Sequence, residues 1–386
     1  MTKDGSMKKP HLSAASAIVS LAIATALVGC SASTPDGDAA AGDSIFIGGI
    51  WPLSGAGALT GQTSAIGAEI AIEELNAAGD TSYEYQWEDS QLDTQLGVTI
   101  LERLIGDDAD VILSGGSGVL VAQAPVMDRQ QVPVLNNMAQ SPMLAGLSDW
   151  LFNIIPTSSA ELEGIAELAI NERGYETVAT LAVDNDLGIG DVEELTGLIE
   201  DAGGQVIANE SFPVGASDMR TALTRIRDAA PDALYITGNS DEVGYAIAQA
   251  SELNLDAQLL IRTPGIDPSS LSIAGEAANG AIGVATAFRP SEDNQIAQDF
   301  IDAYMEKSDG EAPSTFAAIA YDAVRLIGAA YDELGSDATP EDVAAWLNSV
   351  QEFPGAMGLI TISEGTAAYP LFQFEVMDGL AEPFES

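Results

Sequence analysis

Imidazole and thiol side chains, the usual catalytic partners and zinc ligands, are scarce in this 386-residue chain. The one histidine is His11 and the one cysteine is Cys30, both within the first thirty residues. Beyond them there is no imidazole or thiol, which removes Ser-His-Asp and Cys-His catalysis and the usual zinc sites. Asp184 and Asp186 form a close carboxylate pair, but among 59 acids such pairs arise by chance, so they read as solvated loop residues. The run around them, Asp184-Asn185-Asp186-Leu187-Gly188, also lacks the fixed ligand offsets and closing Glu of an EF-hand loop. Gly115-Gly116-Ser117-Gly118 follows a strand pattern and opens a helix, as phosphate loops do, yet it lacks their Gly-Lys-Ser/Thr ending. Such a turn offers free backbone N–H groups, the positive end of a helix and the Ser117 hydroxyl. These hold a small anion or a carbonyl, or, in the same geometry, simply cap a helix. The expectation is a protein that binds a small molecule, with no catalytic residues, no metal and no cofactor.

The charge balance narrows the partners. Thirteen Lys+Arg against 59 Asp+Glu give a net charge of -46, which argues against nucleic acid and against acidic membrane patches, since both are bound through cationic side chains. Charge of one sign on this scale is the pattern of proteins from saline habitats, where salt screens self-repulsion. Three of the cations, Lys3, Lys8 and Lys9, precede an apolar run from Ala14 to Val28 that is too short for a comfortable membrane span. This is an export leader, and ten cations lie beyond it, of which only Lys307 is a lysine. The leader ends in Leu27-Val28-Gly29-Cys30, which resembles the bacterial lipobox. That resemblance implies cleavage before Cys30, lipidation of its thiol and attachment to the outer face of a membrane. With its one cysteine consumed, the mature chain has no disulfide. Ser31 to Asp43 lacks periodicity and large apolar groups, and reads as a flexible tether.

From Ser44 onward short β-rich runs alternate with longer stretches of helical period. Ile45 to Ile50, Tyr83 to Asp89, Asp110 to Gly116 and Val132 to Asn137 read as strands, with helices near 62–78, 95–105 and 119–129 between them. After Ile155 to Ser158 the rhythm restarts: a helix near 160–173, strands at Thr177 to Asp184, Asp232 to Gly238 and Gln258 to Arg262, and helices between. This is the βαβα rhythm of parallel sheets with helices on both faces. The fold class is therefore α/β, with two similar lobes in series between which the chain crosses back. The N-terminal lobe is expected to take 44–156 plus 289–357, and the C-terminal lobe 157–288 plus 358–386, because the leftover elements complete both lobes after a second sheet.

Several landmarks, in order, resemble the branched-chain amino-acid/amide family of type I periplasmic binding proteins. They are Pro52-Leu53-Ser54-Gly55 before the helix GAEIAIEELNAAG, Ser117 to Val126, Val132-Pro133, Ser141-Pro142, IAGEAANG from Ile273 to Gly280, and AIAYDA from Ala318 to Ala323. The resemblance implies two Rossmann-like lobes joined by a three-strand hinge that close on a small ligand, a monomer, and delivery to the permease subunits of an ATP-driven ABC importer. Carried over residue by residue, it places Ser117 and Gly116 against a ligand carboxylate. Met138, Ala139 and Gln140 then form one side of the pocket, Gln140 standing where the family has Thr or Ser. Leu187 takes the place of a Tyr, and Pro264 or Thr263 the place of the acid that faces a ligand ammonium. Thr60, Asn239 and Phe316 complete the wall, Phe316 being equally well explained as core. An ammonium taken out of water needs an anion or several acceptors, so these departures weigh against a plain zwitterionic amino acid.

The charge yields the first testable expectation. Repulsion acts over a screening length of about 30 Å at about 0.01 M salt and about 3 Å at about 1 M. The melting temperature should therefore rise steadily across that range in a thermal denaturation series, and a flat profile refutes the saline reading.

Overall fold

The computed structural model describes residues 44–79 and 81–383. The leader, Cys30 and the tether lie outside the described residues. The N-terminal half opens with β1 (Ser44–Trp51), α1 (Ala58–Ala78), β2 (Ser82–Asp89), α2 (Thr94–Gly106), β3 (Val111–Ser114), α3 (Ser117–Gln130), β4 (Val134–Asn136) and β5 (Leu151–Asn153). The second half repeats the rhythm as α4 (Ser159–Ala166), β6 (Thr177–Val183), α5 (Asp186–Asp201), β7 (Gln205–Phe212), α6 (Arg220–Ala229), β8 (Ala233–Thr237), α7 (Ser240–Glu252), β9 (Gln258–Ile261), α8 (Pro268–Ala274) and β10 (Ile282–Ala285). In space the parallel strands run β2-β1-β3-β4-β5 in one sheet and β7-β6-β8-β9-β10 in the other. The two sheets thus share one strand order, and each reverses direction once, between β1 and β3 and between β6 and β8. Open parallel sheets of this kind form their binding crevice at the carboxyl ends of the strands beside that reversal.

The chain then returns. Helices α9 (Gln295–Lys307), α10 (Thr315–Leu334) and α11 (Pro340–Ser349) pack on the first lobe, followed by β11 (Phe353–Gly355), β12 (Gly358–Ser363) and β13 (Thr366–Ala368) on the edge of the first sheet. Strands β14 (Phe372–Met377) and β15 (Leu380–Pro383) finish the second sheet as an antiparallel edge beside β10. This corrects one expected boundary. Residues 358–368 belong to the N-terminal sheet, and the last crossing falls at 369–371 rather than after residue 357. The physical reason is pairing: Thr366 of β13 lies parallel to Asn153 of β5, and β12 can reach the sheet only through β13.

Helix α10 is the spine of the N-terminal lobe, with most of its residues buried against β1 and α1. Its approach to α1 depends on Gly67, since a Cβ there would lie 2.1 Å from the Ala317 carbonyl oxygen. Fully buried Asp322 on α10 accepts hydrogen bonds from Ala356 N (2.6 Å) and Met357 N (2.9 Å), pinning the turn between β11 and β12. Burial raises its pKa to about 6, opposed by those two hydrogen bonds and by Arg325.

Because the folded pKa exceeds the unfolded one, native Asp322 binds more protons between about pH 4 and about pH 6. The cost of ionising it is therefore present above the folded value and disappears below the unfolded one. Wild type should gain stability over Asp322→Asn by up to about 3 kcal/mol as pH falls from 7 to 4. Chemical denaturation of both proteins across this range tests the point. Parallel stability curves would show that Asp322 does not titrate in the folded protein.

Candidate functional site

The carboxyl ends of both sheets face one cleft, and its walls are loops that leave the strands. In the N-terminal lobe, β3 runs into α3 through Gly116, whose φ of 95° lies in the region that favours glycine. Gly116 occupies the N-cap position, so no side chain caps α3, and Ser117 is its first residue, with 6% of its surface exposed. The alternative role of Ser117 as a cap is thereby removed. After β4, Asn136 Oδ1 accepts from Met138 N (3.2 Å) and Ala139 N (2.8 Å) and folds the next loop inward. Trp51 supports the same loop by donating from Nε1 to Asn137 Oδ1 at 2.8 Å.

The C-terminal lobe presents the matching loops. Asn185 caps α5 through Leu187 N (3.0 Å) and Gly188 N (3.2 Å), which sets Leu187 at the cleft. Asn239 caps α7 in a reciprocal box with Glu242, whose Oε2 accepts from Asn239 N at 2.8 Å and whose Oε1 accepts from Gly215 N at 2.6 Å. Burial raises the Glu242 pKa to about 6 despite those bonds.

Between these walls lie two adjoining cavities of about 120 and about 30 Å³. Gly116, Ser117 and Ala139 line the outer one, while Thr60, Gln140, Pro264 and Phe316 line the inner one. Met138, Leu187 and Asn239 line both. All ten residues expected from the sequence thus come together. Phe316 is at once wall and core, packed in the main apolar cluster of the lobe. Thr263 points away: its hydroxyl donates to Glu161 Oε1 at 2.6 Å.

The main residue not foreseen is Arg262, which lines the inner cavity and is only 1% exposed. Its Nη2 and Nε donate to Asp191 Oδ2 (2.7 and 3.0 Å), Nη2 also reaches Thr237 Oγ1 (3.2 Å), and Nη1 donates to Gln140 Oε1 (2.9 Å). Gln140 belongs to the first lobe and Arg262 to the second, so this bond spans the two. Asp191 is held in turn by Tyr235 OH (3.0 Å), Thr237 Oγ1 (2.6 Å) and Ser158. Glu161 lies behind, with Oε2 at 3.6 Å from Arg262 Nη1 and Oε1 accepting from Thr286 N at 2.9 Å. Burial by itself would lower the Arg262 pKa, but Asp191, Tyr235 and Glu161 together more than offset this and the net shift is upward. Removing one member of such a buried set costs about 3–5 kcal/mol, since the partner charge stays in low dielectric.

One expectation needs correction. Asp184 is exposed as read, but Asp186 is half-buried, lines the outer cavity and reaches across to α3, where a Cβ on Gly118 would lie 2.8 Å from its Oδ2. Its main-chain oxygen accepts from Ser141 Oγ at 2.8 Å, which draws the start of α5 toward the first lobe. An acid therefore does stand in the cleft, contributed by α5 rather than by the segment after β9.

A family model for periplasmic binding proteins matches residues 44–379. The chain belongs to that family. The leucine-, isoleucine-, valine-, threonine- and alanine-binding protein of Pseudomonas aeruginosa is 25% identical over 315 residues, covering 80% of this chain and 83% of that protein. A leucine-binding protein from Thermotoga maritima superposes with a TM-score of 0.81 at 24% identity, over 88% of this chain and 98% of the other. A solute-binding protein of an ABC transporter from Rhodopseudomonas palustris, in complex with 3,4-dihydroxybenzoic acid, gives 0.79 at 21%, over 88% and 97%. The two-lobed type I fold is common to these neighbours and this binding protein.

In a binding protein of this build, Ser117 offers its hydroxyl beside the free N–H groups of α3. Loss of a hydrogen bond to a charged group costs roughly 1.5 to 3 kcal/mol, so Ser117→Ala should weaken ligand binding about 10- to 150-fold. Calorimetric titration in high salt, with thermal melting as a control for folding, checks this. Unchanged affinity would remove Ser117 from the site.

Proposed function

We propose that this chain is the extracytoplasmic receptor of an ABC importer, held to the membrane through lipidated Cys30, which captures a small amino acid, amide or related carboxylate as its lobes close. One observation carries the reading: ten residues drawn from both lobes converge on one cleft at the strand reversals, with the N-termini of α3 and α7 at its walls. The uncapped N-terminus of α3 suits a carboxylate or carbonyl, while Met138, Leu187 and Phe316 suit an apolar body. The combined cavities are small beside the 300 to 1,000 Å³ or so of drug-sized sites, so the ligand is of metabolite size. The cleft pairs donors with apolar groups and, among the described residues, has no imidazole or thiol to form the usual catalytic pairs, which supports binding over turnover. Relatives that bind branched-chain amino acids and a dihydroxybenzoic acid bracket the same class of small carboxylates.

Among the described residues no helix is long and apolar enough to cross a membrane. The proposed attachment rests on Cys30, outside the described residues. Native purification followed by mass spectrometry of the released small molecules should identify a carboxylate or amide, and Cys30→Ala should move the protein out of the detergent phase while retaining that molecule. Recovery of no bound molecule, together with no response to leucine, isoleucine or benzoate in calorimetry, would overturn the receptor reading. Continued detergent partitioning of Cys30→Ala would overturn the anchor alone.

A further inference from the structure

The inner cavity carries features that the holding of a carboxylate at α3 does not use. Ser240, the first residue of the thirteen-residue helix α7, lines this cavity and is 2% exposed, yet its Oγ has no hydrogen-bond partner. Buried hydroxyls are ordinarily paired, and an unpaired one beside an empty space indicates that something else supplies the partner. The first-turn N–H groups of α7 sit at the same place, adding the positive end of a helix dipole. Arg262 forms a further part of the wall.

Charge decides what fits. No carboxylate lines the inner cavity, and the one charged group in its wall is a guanidinium, which offers only donors, so an ammonium entering there finds no anion in contact to pair with. A second carboxylate fares no better, because Arg262 is already paired with Asp191, Glu161 lies behind it, and Asp241 and Glu242 stand in the first turn of α7. A neutral oxygen avoids both penalties. A volume of about 30 Å³ exceeds the ~10–15 Å³ that one water-sized group requires, so the cavity takes a hydroxyl or carbonyl group.

We infer that the inner cavity is a subsite for a single neutral oxygen, hydroxyl or carbonyl, at the end of the ligand remote from the carboxylate, with Ser240 as its specificity-determining residue. The inference rests on the receptor reading above and specifies its ligand as a small apolar carboxylate with a distal oxygen.

The test is calorimetric titration of the purified full chain, in molar salt, with two matched series. One is pentanoate, 5-hydroxypentanoate, 5-aminopentanoate and glutarate; the other is benzoate, 4-hydroxybenzoate, 4-(aminomethyl)benzoate and terephthalate. In at least one series the hydroxyl member should bind about tenfold or more tighter than each of the others. Ser240→Ala, checked for an unchanged melting temperature, should bring the hydroxyl and unsubstituted members within about threefold of each other while leaving the unsubstituted acid's affinity as it was. If in both series an ammonium, dianionic or unsubstituted member binds as tightly as the hydroxyl member, the inference is overturned, as it is by a preference that survives Ser240→Ala. Leucine is titrated alongside. Leucine binding with no preference in either series refutes the subsite and leaves the receptor reading standing, whereas no binding by any compound refutes both.

Discussion

A buried guanidinium between two buried carboxylates is the constraint around which both lobes are arranged. Arg262, Asp191 and Glu161 are each no more than 1% exposed, and a charge removed from water is tolerable only where partners hold it in fixed geometry. The partners come from separate parts of the chain. Ser158 ends the first crossing, Thr286 begins the second, Tyr235 and Thr237 lie on β8, and Gln140 arrives from the other lobe. None of these groups can shift far without leaving an ion unpaired. The floor of the cleft is thereby fixed to the crossings between the lobes.

Repeating one strand order in two sheets has a further consequence. A carboxyl-end loop in one lobe has a counterpart in the other: the turn before α3 faces the turn before α7, and the loop after β4 meets the segment after β9. Each lobe thus brings a helix N-terminus to the same space without any exceptional local sequence. The polar ends of the cleft follow from topology, and the residues that differ between the two lobes, Ser117 on one side and Ser240 with Arg262 on the other, give it direction.

The sequence made the fold legible because its signals are local. Apolar runs of strand length, helical periodicity and glycine turns each span fewer than twenty residues, and their alternation specifies parallel sheets. Ser117 was legible for the same reason, as a hydroxyl placed where a strand turns into a helix. Arg262 was not, since it closes the apolar run Gln258–Ile261 and reads as the exposed end of a strand. Its partners are 71 and 122 residues away at Asp191 and Gln140, and no local pattern registers a pair at that distance. Asp186 was hidden by abundance, as one acid among 59. The last crossing was misplaced because β12 and β13 are short edge strands whose sheet is decided by one register contact, Thr366 with Asn153.

The overall charge bears on how such a cleft selects its ligand. If the ligand is a carboxylate, as proposed, a chain of net charge -46 repels it at long range. Among the described residues the ion pairs other than those of Arg262 lie on partly exposed side chains, where each contributes about 1 kcal/mol or less. They do little to soften the field. At molar salt the screening length falls to about 3 Å, roughly one hydrogen bond. The repelling acids then lose their reach, whereas N–H groups and hydroxyls in contact with the ligand keep theirs. A heavily acidic surface and a carboxylate-binding cleft of the kind proposed are compatible in one molecule because the two act over different distances.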